Sequence, residues 1–197
     1  MPYPADHRER TRERIVRAAR VLFNRHGFDR VSIDDVMKHA GLTRGGFYRH
    51  FDSKSDLYAE AISFAIADTP WSRWDGVDVD FSAADAAQQL VHAYLSEQHL
   101  DDIDASCPMV ALPSEVSRAD PKVKRAFEGV FMQMVQLLEH ALRDRSRALA
   151  IAGICVGGMV VARGIADAKL AEELRAATLR TALRLGDWSP RRKRRSR

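Results

Sequence analysis

The chain has 197 residues, 46% hydrophobic and 29% charged, with 31 Lys/Arg against 27 Asp/Glu for a formal net charge of +4. That balance describes a globular chain able to form a small and a larger core, and it excludes disordered and fibrous classes; Cys107 and Cys155 make neither a disulfide framework nor a zinc spacing. The charge is unevenly placed, with a net +3 over residues 1–60, −4 over residues 61–186 and +5 over residues 187–197, as expected if only part of the molecule approaches a polyanion.

After the Pro-containing start MPYPADHRER, which has no apolar segment of a secretion signal, a helix is predicted from about His7 to His26, and Gly27 ends it. Ile15, Ala18, Ala19, Leu22 and Phe23 form its inner stripe. Arg8, Arg10, Arg12, Arg14 and Arg17 cover the rest and have two readings, contacts to a nucleic-acid backbone or a solvated face partnered by Glu9 and Glu13.

The next stretch, SIDDVMKHAGLTRGGFYRHFDSK, is the most informative. Ser32 reads as an N-cap with Asp35 three residues on, and Ile33, Val36, Met37 and Ala40 recur on one helical face. Gly41 stops that helix, and Thr43 opens a second after a tight turn. At roughly 100° per residue, Phe47 shares a face with Phe51; Gly45, Gly46 and Arg49 spread around the opposite side, and Tyr48 and His50 fall on the shoulders. Each glycine in so short a helix costs about 1 kcal/mol against alanine, so close approach of the bare backbone to a large surface is the expected compensation. Arg44 and Arg49 suit the acceptor edges of guanine, whereas Thr43, Tyr48 and His50 suit phosphates. Ser53 caps the following helix with Asp56 in third position, which puts Lys54 where free N–H groups favour an anion. Ser32 completes the candidate DNA contacts.

These residues, TRGGFYRHFDSKSDLYAEAI with SIDDVMKHAGL and RIVRAARVLFNRHGFDRVS before it, resemble the DNA-binding domain of tetracycline-repressor-like (TetR/AcrR) regulators over about residues 10–65. The resemblance implies a bacterial, homodimeric, all-helical transcription factor, usually a repressor released by a small molecule. By position it puts Thr43, Tyr48, His50 and Lys54 on phosphates and Arg44, Gly45, Gly46 and Arg49 nearest the bases.

From Lys54 a helix is expected to carry Leu57, Ala61, Phe64 and Ala65 inward and to run past residue 65. Residues 68–82 read as a loop, and Ser82 to Gln98 as one helix with Ala86, Leu90, Ala93 and Tyr94 on one side. His99, Asp101, Asp102 and Asp104 lack the spacing of a known ligand set, so no metal and no cofactor are expected. Met109 to Ser117 reads as one short helix, and Asp120–Pro121 as the start of a long one carrying Val123, Phe127, Val130, Phe131, Met134, Leu137, Leu138 and Ala141. The apolar run Ala148–Ala162 is shorter than the roughly 20 residues a membrane span needs and reads as a buried helix, apolar nearly all round, within about Arg147–Ile165. Asp167 caps a last helix whose inner face reads as Leu170, Leu174, Ala177, Thr181 and Leu185, closed by Gly186 and Pro190. CPMVALPSEV and DPKVKRAF resemble one branch of the family more loosely.

The expected architecture is all-α, about nine helices. An N-terminal helix-turn-helix domain spans 1–52, a larger ligand-binding and dimerisation domain spans 53–186, and a basic tail spans 187–197. A helix apolar all round needs cover from a second copy, so a four-helix dimer interface is expected through Gly153, Gly157, Val161, Leu170, Leu174, Ala177 and Thr181. Candidates for a pocket accepting an apolar or planar effector are Phe64, Trp71, Trp74, Tyr94 and Met109, with Phe127, Phe131, Met134, Cys155 and Met159. Cys107 has a sensing and a structural reading, and the structural one is favoured because no neighbouring cation lowers its pKa. No phosphate loop, nucleophile elbow or nucleotide fingerprint is present, so an enzyme is not expected. The partners expected are an operator duplex, a second copy and a small effector, in the cytoplasm and without a membrane. The alternatives are a sequence-nonspecific DNA-binding protein and a helical ligand-binding protein or enzyme with an incidental helix-turn-helix.

Overall fold

The structure is a computed structural model that describes residues 5–66 and 74–188. Its elements are helical throughout, and no strand occurs among the described residues. They are α1 (Ala5–His26), α2 (Ile33–His39), a 3-10 helix (Arg44–Arg49), α3 (Lys54–Ser63) running into a second 3-10 turn (Phe64–Ile66), α4 (Ala86–Tyr94), α5 (Glu97–Asp101), α6 (Pro108–Ala111), α7 (Pro113–Val116), α8 (Pro121–Leu142), α9 (Arg145–Gly164) and α10 (Ala168–Leu185). Two compact units result, Met1–Pro70 with Asp102–Gln133, and Trp71–Asp101 with Met134–Arg197.

In the first unit, Ile15, Val16, Ala19 and Phe23 of α1 are buried against Val36 and Met37 of α2 and Leu57, Tyr58, Ala61 and Ile62 of α3. The segment from residue 102 onward is tied to α1 by polar bonds. Arg20 Nη2 donates to Ala105 O at 2.7 Å, Asn24 Nδ2 donates to the carbonyls of Asp104 and Ser106 at 3.1 Å each, and Arg25 pairs with Asp104. Helix α3 therefore packs with α1 in the same unit, although the sequence boundary after residue 52 sets it with the larger domain.

In the second unit α9 packs on α10, α4 and α5. Its Ala148, Ile151, Ala152, Cys155, Met159 and Ala162 are buried, whereas Leu149, Gly153, Gly157 and Val161 are exposed. By length and composition this 20-residue helix could cross a membrane, but its buried stripe is that of a core helix. Within one copy the helix is thus buried on one side only, in keeping with the partial cover expected of a single chain. α10 comes close at Gly158, where a Cβ would lie 2.7 Å from Thr178 Cγ2; Gly153 and Gly157 face open space.

Further boundaries differ from the sequence reading. The expected helix from Ser82 to Gln98 breaks between α4 and α5 because Ser96 Oγ donates to Ala93 O at 2.8 Å and accepts the His99 N–H at 3.2 Å, starting a new helix. The short helix expected over 109–117 is two, because Pro113 has no N–H to continue α6. The α-helix from Lys54 ends at Ser63, before the expected residue 65. Phe64 and Ala65, expected inward, are half-buried, with the Arg17 guanidinium 4.7 Å above the Phe64 ring. The inner face of α10 is Ala171 and Ala182 with Thr178, so Leu170, Ala177, Thr181 and Leu185 point outward instead of in. Asp167 caps α10 as expected, accepting from Lys169 N at 2.9 Å, and Gly186 closes it, while Pro190 lies outside the described residues. Three of the four residues weighed as metal ligands, His99, Asp102 and Asp104, have other partners. His99 is buried with Nδ1 2.6 Å from Tyr94 O, Asp102 Oδ1 accepts the Ala105 N–H at 2.8 Å, and Asp104 pairs with Arg25.

Candidate nucleic-acid interface

The local signals between Ser32 and Lys54 build the site. Ser32 and Asp35 form a reciprocal capping box, in which Ser32 Oγ accepts the Asp35 N–H at 3.1 Å while Asp35 Oδ2 accepts the Ser32 N–H at 2.8 Å and its hydroxyl at 2.6 Å. These bonds from Ser32 hold the Asp35 carboxyl below the usual carboxylate range. Gly41, at φ +66, turns the chain out of α2, with Leu42 N donating to Met37 O at 2.8 Å. Thr43 sits extended at the N-cap of the next helix, but its hydroxyl makes no capping bond.

That next helix is of the 3-10 type, tighter than the α-helix the wheel assumes. Gly46 N donates to Thr43 O at 3.0 Å and His50 N to Phe47 O at 2.8 Å. Phe47 and Phe51 are fully buried with ring centroids 5.6 Å apart, and Tyr48, 61% exposed, lies edge-on to Phe47 at 5.1 Å. Thr43, Arg44, Gly45, Tyr48 and Arg49 are each exposed. A Cβ on Gly45 would meet nothing within 4 Å. Gly46 differs from its expected outward placement: it is half-buried, and its Cβ position lies 3.5 Å from Met37 Cε, because this edge of the helix rests on α2. Arg44 pairs with Asp34 at 2.8 Å, and both are exposed, so the pair contributes little and leaves the guanidinium available.

Lys54 Nζ donates to Phe28 O and lies 4.1 Å above the Phe28 ring. Burial lowers its pKa, against the opposing charges of Asp29, Glu115 and Asp35. The His50 imidazole is lowered first by burial and then by Arg8, Arg12 and Arg49, so it is neutral at neutral pH.

Sequence reasoning missed two groups. Arginines of α1 cap neighbouring helix ends: Arg8 Nη2 donates to Arg49 O at 3.1 Å, Arg12 to His50 O, and Arg14 Nη2 to Ala40 O at 2.6 Å. Arg17 follows the solvated-face reading, pairing with Glu13 at 2.7 Å, and Arg10 is exposed. The spacing of Arg8 and Arg12, one turn apart, was the available signal, but it names no acceptor. The second is Glu115, which accepts the Phe28 N–H at 2.9 Å and the Tyr58 hydroxyl at 3.3 Å. Burial and this carboxylate raise the Tyr58 pKa well above its ordinary value.

The effector candidates are divided between the units. Phe64, Met109, Phe127 and Phe131 belong to the first, and Trp74, Tyr94, Met134, Cys155 and Met159 to the second, while Trp71 lies outside the described residues. Met109, Tyr94, Met134, Cys155 and Met159 are buried. Trp74 stacks on His99 at 5.2 Å, and Tyr94 meets the same ring edge-on at 4.8 Å. A cavity of about 380 Å³ in the second unit is lined by Gly76, Asp85, Gln89, His92 and Ser96 among others, and by none of these candidates. Burial pushes the Cys155 thiol up to about 12, which keeps it protonated and unreactive. Of the expected interface residues, Gly153, Gly157, Val161, Leu170, Ala177 and Thr181 are exposed and Leu174 is half-buried.

Residues 15–61 match the family model of bacterial regulatory proteins, tetR family. The chain is 42% identical over 52 residues to the HTH-type transcriptional regulator AcrR of Shigella flexneri, covering 26% of this chain and 24% of that protein. It is 31% identical over 51 residues to the biofilm operon icaADBC HTH-type negative transcriptional regulator IcaR of Staphylococcus aureus, covering 26% and 27%. The matches thus span about a quarter of the length of these curated relatives. The reduced form of NemR from E. coli shares the fold, with a TM-score of 0.69 at 18% identity over 89% of this chain and 97% of that one. Residues 15–61 thus carry a helix-turn-helix segment similar to that of the tetR family of bacterial regulatory proteins, within an all-helical fold like that of NemR.

Proposed function

We propose that the chain is a transcriptional repressor that binds a palindromic operator as a homodimer and is released by a small apolar or aromatic ligand. The observation that carries the DNA-binding part is the exposed edge of the 3-10 helix, where Arg44, Gly45, Tyr48 and Arg49 face outward above a buried Phe47. Gly45 lets the backbone approach the groove, and Arg44 and Arg49 read base edges. Thr43, Tyr48 and His50 contact phosphates as neutral donors, joined by Lys54 if it leaves Phe28 O, and Ser32 and Gly46 flank them. The repressive sign follows what the name of IcaR says of that protein.

Dimerisation is supported by the apolar and small-residue face of Gly153, Gly157 and Val161 on α9 and Leu170, Ala177 and Thr181 on α10, which one copy leaves open. Two symmetry-related reading heads require half-sites about one turn, roughly 34–36 Å, apart or wider. Effector binding that shifts their spacing by a coupling of about 1–3 kcal/mol changes affinity about 5- to 150-fold. The protein acts on the nucleoid, in the cytoplasm.

The test is a salt-dependent titration of the full chain against its upstream-region duplex and a scrambled duplex. Arg49→Ala is expected to relax the preference at one base pair by about 1–3 kcal/mol, while Tyr48→Phe weakens all sequences alike. Equal affinity of the unaltered chain for scrambled and upstream DNA would replace this reading with that of a general DNA-coating protein.

A further inference from the structure

The 3-10 helix that carries the reading edge has six residues and two glycines, so it has little stability of its own. Its terminal carbonyls have no partners within the helix. Beyond the buried Phe47 and Phe51 and the Arg8 bond to Arg49 O, a guanidinium of α1 ties its C-terminal end to α3. We propose that Arg12, held by Glu60, is a positioning residue that fixes the orientation of the recognition helix and does not itself contact DNA. This rests on the DNA-binding reading above and names a determinant of its specificity.

Arg12 reaches three partners at once. Nη1 donates to His50 O at the end of the 3-10 helix, Nε donates to Glu60 Oε1 at 2.8 Å, and Nη2 closes a bidentate ion pair on Glu60 Oε2. The guanidinium plane lies 4.1 Å over the ring of Phe51, the residue just after that helix. Arg12 belongs to α1 and Glu60 to α3, so three elements meet on one side chain. Only a planar fork with five N–H donors satisfies this set; a lysine could reach one or two of the acceptors. Its orientation also distinguishes it from a phosphate ligand. A phosphate would have to displace a bidentate carboxylate and a backbone carbonyl, whereas Arg44 on the exposed edge is tied only to an exposed aspartate.

Removing the Glu60 charge separates the two roles by sign. If Arg12 positions the helix, Glu60→Gln loosens it and lowers discrimination between operator and scrambled duplex about tenfold, roughly the worth of one well-aligned base contact, with the salt slope unchanged. If Arg12 is a phosphate ligand, Glu60→Gln frees it and tightens binding to every sequence, and Arg12→Ala lowers the salt slope by about one phosphate. Arg12→Lys should recover part of the discrimination lost in Arg12→Ala. Amide hydrogen exchange in the DNA-free full chain tests the positioning directly: with Glu60→Gln, the Gly46, His50 and Phe51 amides should exchange faster while those of α9 and α10 do not change. Tighter binding by Glu60→Gln, unchanged discrimination, or unchanged exchange at residues 44–51 would each overturn the inference. Failure of the unaltered chain to distinguish operator from scrambled DNA would instead overturn the DNA-binding reading, leaving the exchange result to decide on the positioning.

Discussion

Neighbouring glycines in the same short helix do different work. Gly45 has open space where a side chain would be, and Gly46 faces the methyl of Met37. The sequence wheel treats them alike because it contains no second helix for Gly46 to rest on. Neither has a positive φ, so alanine fits the backbone at both. Gly45→Ala is therefore expected to stabilise the protein by about 0.4–1 kcal/mol, chiefly by restricting the unfolded chain, while weakening operator binding because the added methyl meets the groove. Urea unfolding and a binding titration on the same sample check the opposed signs; a variant that binds DNA as before would remove the close-approach role of Gly45. The Thr43 hydroxyl is similar evidence in kind. It stands at a capping position without capping, so it remains a donor on the exposed edge.

At the scale of elements, the corner between α1 and α2 fixes where the helix-turn-helix starts. Gly27 takes φ +80, its N–H donates to Phe23 O at 2.9 Å, and the place of a Cβ is occupied by the Glu115 carboxylate. That carboxylate in turn holds the Phe28 N–H, and Lys54 holds the Phe28 carbonyl. The Phe28 peptide is thus gripped on both sides by residues distant in sequence. Gly27→Ala should cost about 1–2 kcal/mol for the left-handed backbone and more for moving Glu115 from its two donors. Gly76→Ala is the control, since Gly76 has φ +74 but open space around it. Denaturant unfolding of both variants should show the larger loss at Gly27; equal losses would mean that Glu115 moves aside freely. The start of α2 and the stop at Gly41 were legible because caps and glycines act within a few residues. The replacement of an α-helix by a 3-10 helix over 44–49 was not, since anchoring by two phenylalanines suits either geometry.

At the scale of the whole molecule, the outward face of α9 and α10 in the second unit is the feature a single copy leaves unfinished. Val161 is 55% exposed and Leu170 51% exposed, beside Gly153 and Gly157 with nothing near them. Val161→Glu should abolish the proposed dimer without changing helix content, because the protomer's own core lies on the other side of α9 at Ile151, Cys155 and Met159. Sedimentation with far-UV circular dichroism checks both halves, and a variant that stays dimeric would put the interface elsewhere. The charge pattern also belongs to this scale. The net +3 of residues 1–60 does not by itself mark DNA contacts, since Arg8, Arg12 and Arg14 bind carbonyls of their own unit.

By itself the sequence determined the helical class, the helix-turn-helix and the burial of Phe47, because periodicity, caps and turn glycines act over one or two turns of chain. Tertiary structure alone decided that α3 packs with α1, that α10 packs on α9 with Ala171 and Ala182 buried, and that Arg12 donates to the His50 carbonyl at the end of the 3-10 helix. A guanidinium's role depends on which acceptors lie within its reach, and Glu60, 48 residues away along the chain, becomes one only when α1 and α3 are brought together.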